Sequence, residues 1–435
     1  MLLAGAVPLS FVMGGKREED TRQMLAPAAF SATAMSQVTA DAALLQQKTL
    51  LLSGCTVLVL VMALGIVLVY LRSPRSRAKT MLVTAGVVVA VWVLCGYGLS
   101  FGPVLIPGFL GNPLGVFAAG ETLVAGEAAT LHGIAFAAFQ AAVVILTVTI
   151  VWVVAAGRTR TAPWLAFVAL WLVLVYAPLA YSDFNMADGW LFGGLEVNDQ
   201  AGGLVVQVSA GAAALALLLV LGRAARPVGT PVRSTSTILG GVALVWIGAF
   251  GLNIGSEGAI DGLLGTICLN TFLAPLVAAI AWSLVEVLRH GRANLKGAAF
   301  GVLAGIVAIT PACNILTPLW TVLLGFLAGA ICAVVVSGRP RDGLGLGEGI
   351  AVPGIHLVGG VLGTAYVGLF ATGIGWKDTG QPDGLMDQAG AAFGVAIYSF
   401  VVAFVLAWAL ERTIGLRQGD TGLEPMEPVG AQLNA

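Results

Sequence analysis

The sequence predicts an all-α polytopic membrane protein of about eleven transmembrane helices, arranged as inverted five-helix repeats plus a final helix. Three observations carry this. Only 10% of the 435 residues are charged against 58% hydrophobic, with a mean hydropathy of +0.95; a soluble domain carries about 25% charged residues. Apolar runs long enough to span a bilayer, about 20 residues each, recur along the whole chain. Lysine and arginine fall on alternate sides of those runs. The same composition excludes disorder, collagen-like repeats and a disulfide scaffold.

The candidate spans, in order, are residues 49–71, 80–101, 129–156, 163–181, 200–222, 236–254, 261–288, 295–311, 317–337, 349–373 and 389–411. After the first come Arg72, Arg75, Arg77 and Lys79; after the third, Arg158 and Arg160; after the fifth, Arg223, Arg226 and Arg233. Arg289, Arg292 and Lys296 follow the seventh, Arg339 and Arg341 the ninth, Arg412 and Arg417 the eleventh. Sixteen of the 21 basic residues therefore share one side. The positive-inside rule makes that side cytoplasmic, which predicts an outside N-terminus and a cytoplasmic C-terminus. One miscounted span would scramble the alternation, so the charges also check the helix count.

Three regions follow: an extracytoplasmic N-terminal tail (1–48), a transmembrane domain (49–411) and a short cytoplasmic C-terminal tail (412–435). In the first region residues 2–14 are apolar but too short to span, and no basic stretch precedes them as a signal peptide requires. The 58 glycines sit inside apolar stretches, where lipid-embedded helices use them for close packing.

The five cysteines (Cys55, Cys95, Cys268, Cys313, Cys332) lie in apolar segments without metal-type spacing. No P-loop, CxxC or Ser/His/Asp set stands in a convincing context. No catalytic residue, metal ligand or cofactor is therefore expected, and without a basic patch no nucleic acid either.

The fifth and tenth spans echo one another. Each places one polar side chain, Gln207 or His356, a few residues beyond a glycine near its start. Repeats with an odd number of helices insert with opposite topology, and substrate paths in such proteins run near the midplane at the repeat interface. A polar side chain within a span is a functional-site candidate. His356 is the only histidine in a span core, since His132 begins a helix and His290 lies in a basic loop.

Several segments together resemble the ammonium transporter (Amt/Mep/Rh) family across nearly all of residues 49–415. These are Cys95-Gly96-Tyr97-Gly98-Leu99-Ser100-Phe101-Gly102, Asp199-Gln200-Ala201-Gly202-Gly203 through Gln207, and Trp246 through Ser256. Asn270-Thr271, Ile309-Thr310-Pro311-Ala312 and Gly354-Ile355-His356-Leu357-Val358-Gly359-Gly360 complete the set. The resemblance implies a plasma-membrane homotrimer for nitrogen uptake, with a pore, a phenylalanine gate and an outer vestibule in each subunit. It also implies ammonium, or a related small amine, as substrate.

Carried over residue by residue, the resemblance is uneven. The two pore-lining histidine positions hold Gln207 and His356, and the two gate phenylalanines align with Val143 and Leu252. The vestibule tryptophan aligns with Phe184 while its serine partner is kept as Ser256. Asp183 and Glu257 stand beside these as added acids that could attract a cation. Asp199 is kept, with an expected role in supporting the head of the fifth helix and, indirectly, a cation. Smaller gate groups predict a wider entrance, and glutamine, which does not titrate, breaks a two-histidine proton relay. The tail around Gly422–Glu427 is only faintly similar to the family's regulatory C-terminus, which gives little ground for a PII-type partner. The alternatives are a ligand-binding sensor on the same scaffold and a conduit for another small neutral solute.

Overall fold

A computed structural model describes residues 13–71, 74–114, 128–185, 188–222, 225–227, 234–337, 347–418 and 423–425. Among them are eleven helices long and apolar enough to cross a bilayer. These are α1 (Asp41–Tyr70), α2 (Arg77–Phe101), α3 (His132–Ala155), α4 (Thr161–Phe184), α5 (Gly203–Leu221) and α6 (Thr235–Glu257). The rest are α7 (Leu264–His290), α8 (Leu295–Ala312), α9 (Pro318–Ser337), α10 (Ala351–Phe370) and α11 (Asp383–Thr413). Each expected span has its helix. Helix Met13–Tyr70 continues without a break on the N-terminal side of the span expected from residue 49. Residues 16–48 are rich in alanine, glutamine and other good helix formers, so polarity ended the apolar run there without ending the helix.

The first helices of the two halves, α1 and α6, lie in backbone contact. A Cβ at Gly65 would strike Gly241 and Val245, and one at Gly248 would strike Leu58 and Met62. Small residues allow this approach where lipid offers no hydrophobic drive between helices. Buried polar groups tie neighbouring helices together. Asn270 of α7 donates to the carbonyls of Cys313 (3.0 Å) and Leu316 (2.8 Å) and accepts from Thr321 of α9 (2.8 Å). Trp246 of α6 donates to the Thr271 carbonyl at 3.0 Å, and Trp164 of α4 to the Thr84 hydroxyl of α2 at 3.0 Å.

Three helices contain π-turns: α2 at Trp92–Gly96, α4 at Leu172–Tyr176 and α5 at Gly203–Val208. Such turns insert one residue into the ladder and re-aim the side chains beyond it. On the expected cytoplasmic side, the stretch after α11 is laced to the α3–α4 turn. Arg160 N–H donates to the Leu416 carbonyl (2.9 Å) and Gln418 N–H to that of Arg158 (2.8 Å). The Arg158 and Arg417 guanidinium groups donate to Gly222 and Val220 carbonyls at the end of α5, each at 2.5 Å. Cations at a helix C-terminus also oppose its dipole.

Candidate functional site: a buried polar line between the two halves

The α5 head is built by Asp199 and two glycines. The Asp199 carboxylate accepts from the backbone N–H groups of Gly202 (3.0 Å), Gly203 (2.5 Å) and Leu204 (2.6 Å), filling the donors a helix start leaves unpaired. Gly202 has φ +89°, a left-handed conformation that a side chain would strain. At Gly203 a Cβ would meet the ring of Pro311, where α8 unwinds into a 3₁₀ turn. The Pro311 carbonyl in turn accepts from Gln200 N–H and the Asn198 side chain, both at 3.2 Å. Burial raises the Asp199 carboxyl above its usual range, and the bonds from the three backbone N–H groups oppose this.

The π-turn that follows delivers Gln207 against α10. A Cβ at Gly211 would land on the Leu357 backbone, and one at Gly360 would meet Val208 and Gln207. Glycine on each helix thus brings the two backbones together at the level of the polar pair. Gln207 Oε1 lies 2.7 Å from His356 Nδ1, and both side chains are buried. With the amide oxygen on that side, the imidazole proton sits on Nδ1. Nε2 then accepts from the Tyr70 hydroxyl at 3.4 Å. The Tyr70 ring lies 5.9 Å from the imidazole and 6.2 Å from Phe300, on which it stacks. Gln207 Nε2 is buried with no hydrogen-bond partner among the described residues.

Nothing in the sequence separated Tyr70 from an ordinary interfacial aromatic at a span end. It meets His356 across 286 residues of chain.

The two positions expected to form a gate are filled rather than open. Val143 is 3% exposed and Leu252 1%, within one apolar cluster. Phe139, one helical turn before Val143, is fully buried, and a Cβ at Gly255 would strike its ring. That aromatic, four residues before Val143 on the same helix, is a neighbour the sequence alone does not single out.

Of the expected vestibule residues, Phe184, Ser256 and Glu257 are half-buried. Glu257 accepts from the Gln200 amide at 2.7 Å, and Gln200 accepts from Asn314 at 2.5 Å. Asp183, expected beside them, is 3% exposed on the last turn of α4. Its place one residue before Phe184 suggested the vestibule, but the last turn of α4 rotates it inward.

The family model of the Ammonium Transporter Family matches residues 50–424. An ammonium transporter of Mycobacterium tuberculosis (strain H37Rv) is 34% identical over 415 residues, 85% of this chain and 86% of that protein. One from Bacillus subtilis is 33% identical over 400 residues, 85% of this chain and 93% of its own length. Among solved structures, Mep2 of Candida albicans superposes with a TM-score of 0.77 at 30% identity, covering 86% of each chain. A sensor Amt protein at 24% identity shares the fold, with a TM-score of 0.77 over 86% of this chain and 96% of its own. Eleven spans, a glycine-packed junction of the two halves and these matches over most of the chain agree, and the chain belongs to the ammonium transporter family.

Proposed function

We propose that this ammonium channel/transporter draws ammonium to its outer face and passes the uncharged ammonia, or a related small amine, along the Gln207–His356–Tyr70 line. Burying an ion without partners costs far more than burying a neutral polar molecule, so the buried level at His356 favours ammonia. The observation that carries this reading is the 2.7 Å bond joining the polar side chains of the two halves inside an apolar bundle. The unpartnered Gln207 Nε2 adds to it: an N–H group left over there calls for a lone pair, which ammonia has and ammonium lacks. Because Gln207 does not titrate, His356 stands alone as a proton-accepting group at this level, and passage leans on hydrogen bonding.

Reconstituted vesicles loaded with a pH dye test this. His356→Ala should slow ammonium-driven alkalinisation by about tenfold, the equivalent of roughly 1.4 kcal/mol of lost stabilisation. Gln207→His should add current that the wild type lacks. A His356→Ala protein with unaltered rates would place the path elsewhere.

The same reading makes the protein a plasma-membrane homotrimer with its N-terminus outside. The alternation of basic residues supports the orientation. Large apolar side chains left exposed on α7 and α9, including Phe272, Ile280, Leu288 and Leu319, supply surface for neighbours or lipid. Native mass spectrometry in mild detergent should show three subunits as the largest stable species; monomers and dimers alone would remove the assembly.

A further inference from the structure

Where the end of α4 meets the first half of α11, the surface of the bundle is hollow. A groove of about 380 Å³ runs between Leu179 and Leu191 on one wall and Ala391 and Val395 on the other. That is the size of a small-molecule pocket. Its flank on α11 is glycine: Gly390 and Gly394 sit one turn apart, both exposed, and a Cβ at either would meet nothing within 4 Å. Phe109 and Trp190, each about half exposed and with ring centroids 5.5 Å apart, stand at the end nearer the α4–α5 loop. At the deep end Tyr398 of α11 donates to the Leu174 carbonyl at 2.5 Å, within the π-turn of α4.

Distances along α11 place this groove within one leaflet of the bilayer. From Gly390 to Trp408 the helix rises about 27 Å at 1.5 Å per residue, close to the ~30 Å of a hydrocarbon core. The Arg412 guanidinium lies 5.6 Å from the ring centroid of Trp408, the pairing of an aromatic ring and a snorkelling cation that suits an interface. Phe109 and Trp190 are then the aromatic belt at the opposite interface. From Gly390 to Tyr398 is about 12 Å of helix, most of the depth of one leaflet. Below the belt α11 exposes Phe393, Ile397, Val401 and Val405 in one stripe, so the groove continues a face of hydrocarbon depth and character.

The lining decides what fits. Both hydroxyls in it are engaged: Ser182 Oγ accepts from Leu191 N–H at 3.2 Å, and Tyr398 bonds the π-turn. Nothing there orients a polar solute, and an apolar hollow of this kind stays dry. A further helix, about 10 Å across with its side chains, is too wide to enter. A single hydrocarbon chain matches the groove in length, width and polarity. We propose that the groove binds one acyl chain of a phospholipid from the leaflet at the α4–α5 end, the outer leaflet in the orientation proposed above. The chain fills the hollow and keeps α11 seated on the π-turn of α4 through Tyr398. The inference rests on the bilayer span of α4 and α11 and is independent of the path of ammonia.

Photolabelling tests it. The full-length protein is reconstituted in dioleoylphosphatidylcholine vesicles doped with a phosphatidylcholine that bears a diazirine midway along one acyl chain, and the adducts are mapped by mass spectrometry. Leu179 and Val395 are 7% and 4% exposed, so lipid lying against the surface does not reach them, whereas a chain in the groove does. Both should be labelled, alongside the exposed Ile397 and Val401. Gly390→Leu with Gly394→Leu puts two isobutyl groups into the open space, and leucine favours helix over glycine. Labelling of Leu179 and Val395 should then drop at least about tenfold, because the added groups displace several buried methylenes, while that of Ile397 and Val401 stays. The melting temperature in detergent should rise with added dioleoylphosphatidylcholine for the wild type and stay level for the double variant. Should that variant fail to fold, the wild-type map alone decides. Adducts confined to Ile397 and Val401 would leave only ordinary surface lipid and overturn the proposal. So would a folded double variant that labels Leu179 and Val395 like the wild type.

Discussion

Asp199→Ala is expected to abolish measurable uptake and to lower the melting temperature of the detergent-solubilised protein by several degrees. Three backbone N–H groups at 2.5–3.0 Å lose their common acceptor, and no water from the bilayer interior replaces it. A buried unpaired donor costs about 1–3 kcal/mol, so three of them amount to at least about 3 kcal/mol, more than an ordinary N-cap substitution. The damage does not stay local. Gly202 at φ +89° and Gly203 against Pro311 allow the turn but do not enforce it; the carboxylate does. Released, the π-turn at Gly203–Val208 loses the register that sets Gln207 Oε1 on His356 Nδ1. An uptake assay should read a loss of at least tenfold, about 1.4 kcal/mol or more at the transition state, alongside the stability loss. Asp199→Asn, which keeps an acceptor oxygen, should fall between. An alanine variant with normal uptake and an unchanged melting curve would show that the glycines alone build the helix head.

The architecture was legible because its causes are one-dimensional. Span length and the side preference of lysine and arginine are properties of local composition, and all eleven helices follow from them. Gln207 and His356 were legible for a related reason: each is a polar residue at a matched place in a glycine-rich apolar helix, so repeat symmetry alone paired them. Tyr70 had no such marker. Its meaning comes from its contact with His356 of α10, which the packing of α1 sets and which no pattern around Tyr70 announces. The burial of Asp183 was not legible, because the phase of a helix at its last turn decides whether a side chain faces water or the bundle. The π-turn in α4 at Leu172–Tyr176 shifts that phase. The extent of the first helix was not legible from span length, because a polar stretch of good helix formers continues it: Met13–Tyr70 is continuous.

Wild-type protein is expected to take up methylammonium, or a larger primary amine, at a rate at least comparable with ammonium, and Val143→Phe with Leu252→Phe should remove that breadth. The resemblance places two phenyl rings where this chain has an isopropyl and an isobutyl group. Smaller groups leave room that the surroundings refill only in part. The structure refines the argument, because both side chains are buried and Phe139 closes on Gly255 nearby. If these two positions form the entrance, it is filled by aliphatic side chains and is not an open hole. Aliphatic side chains rotate aside for a solute more readily than two stacked rings, so breadth would arise from yielding contacts. Two outcomes of the double variant are separable. If the rings find space in the solute path, amine uptake should fall about tenfold while ammonium uptake falls far less, with the melting temperature held. If instead they overpack the helix contacts, a cost of roughly 1–3 kcal/mol each should lower the melting temperature and all substrates together. A competition assay with labelled methylammonium, run beside thermal denaturation on the same preparations, distinguishes these. A wild type that carries ammonium alone, unaltered in selectivity by the two phenylalanines, would mean that Phe139 rather than Val143 and Leu252 sets what enters.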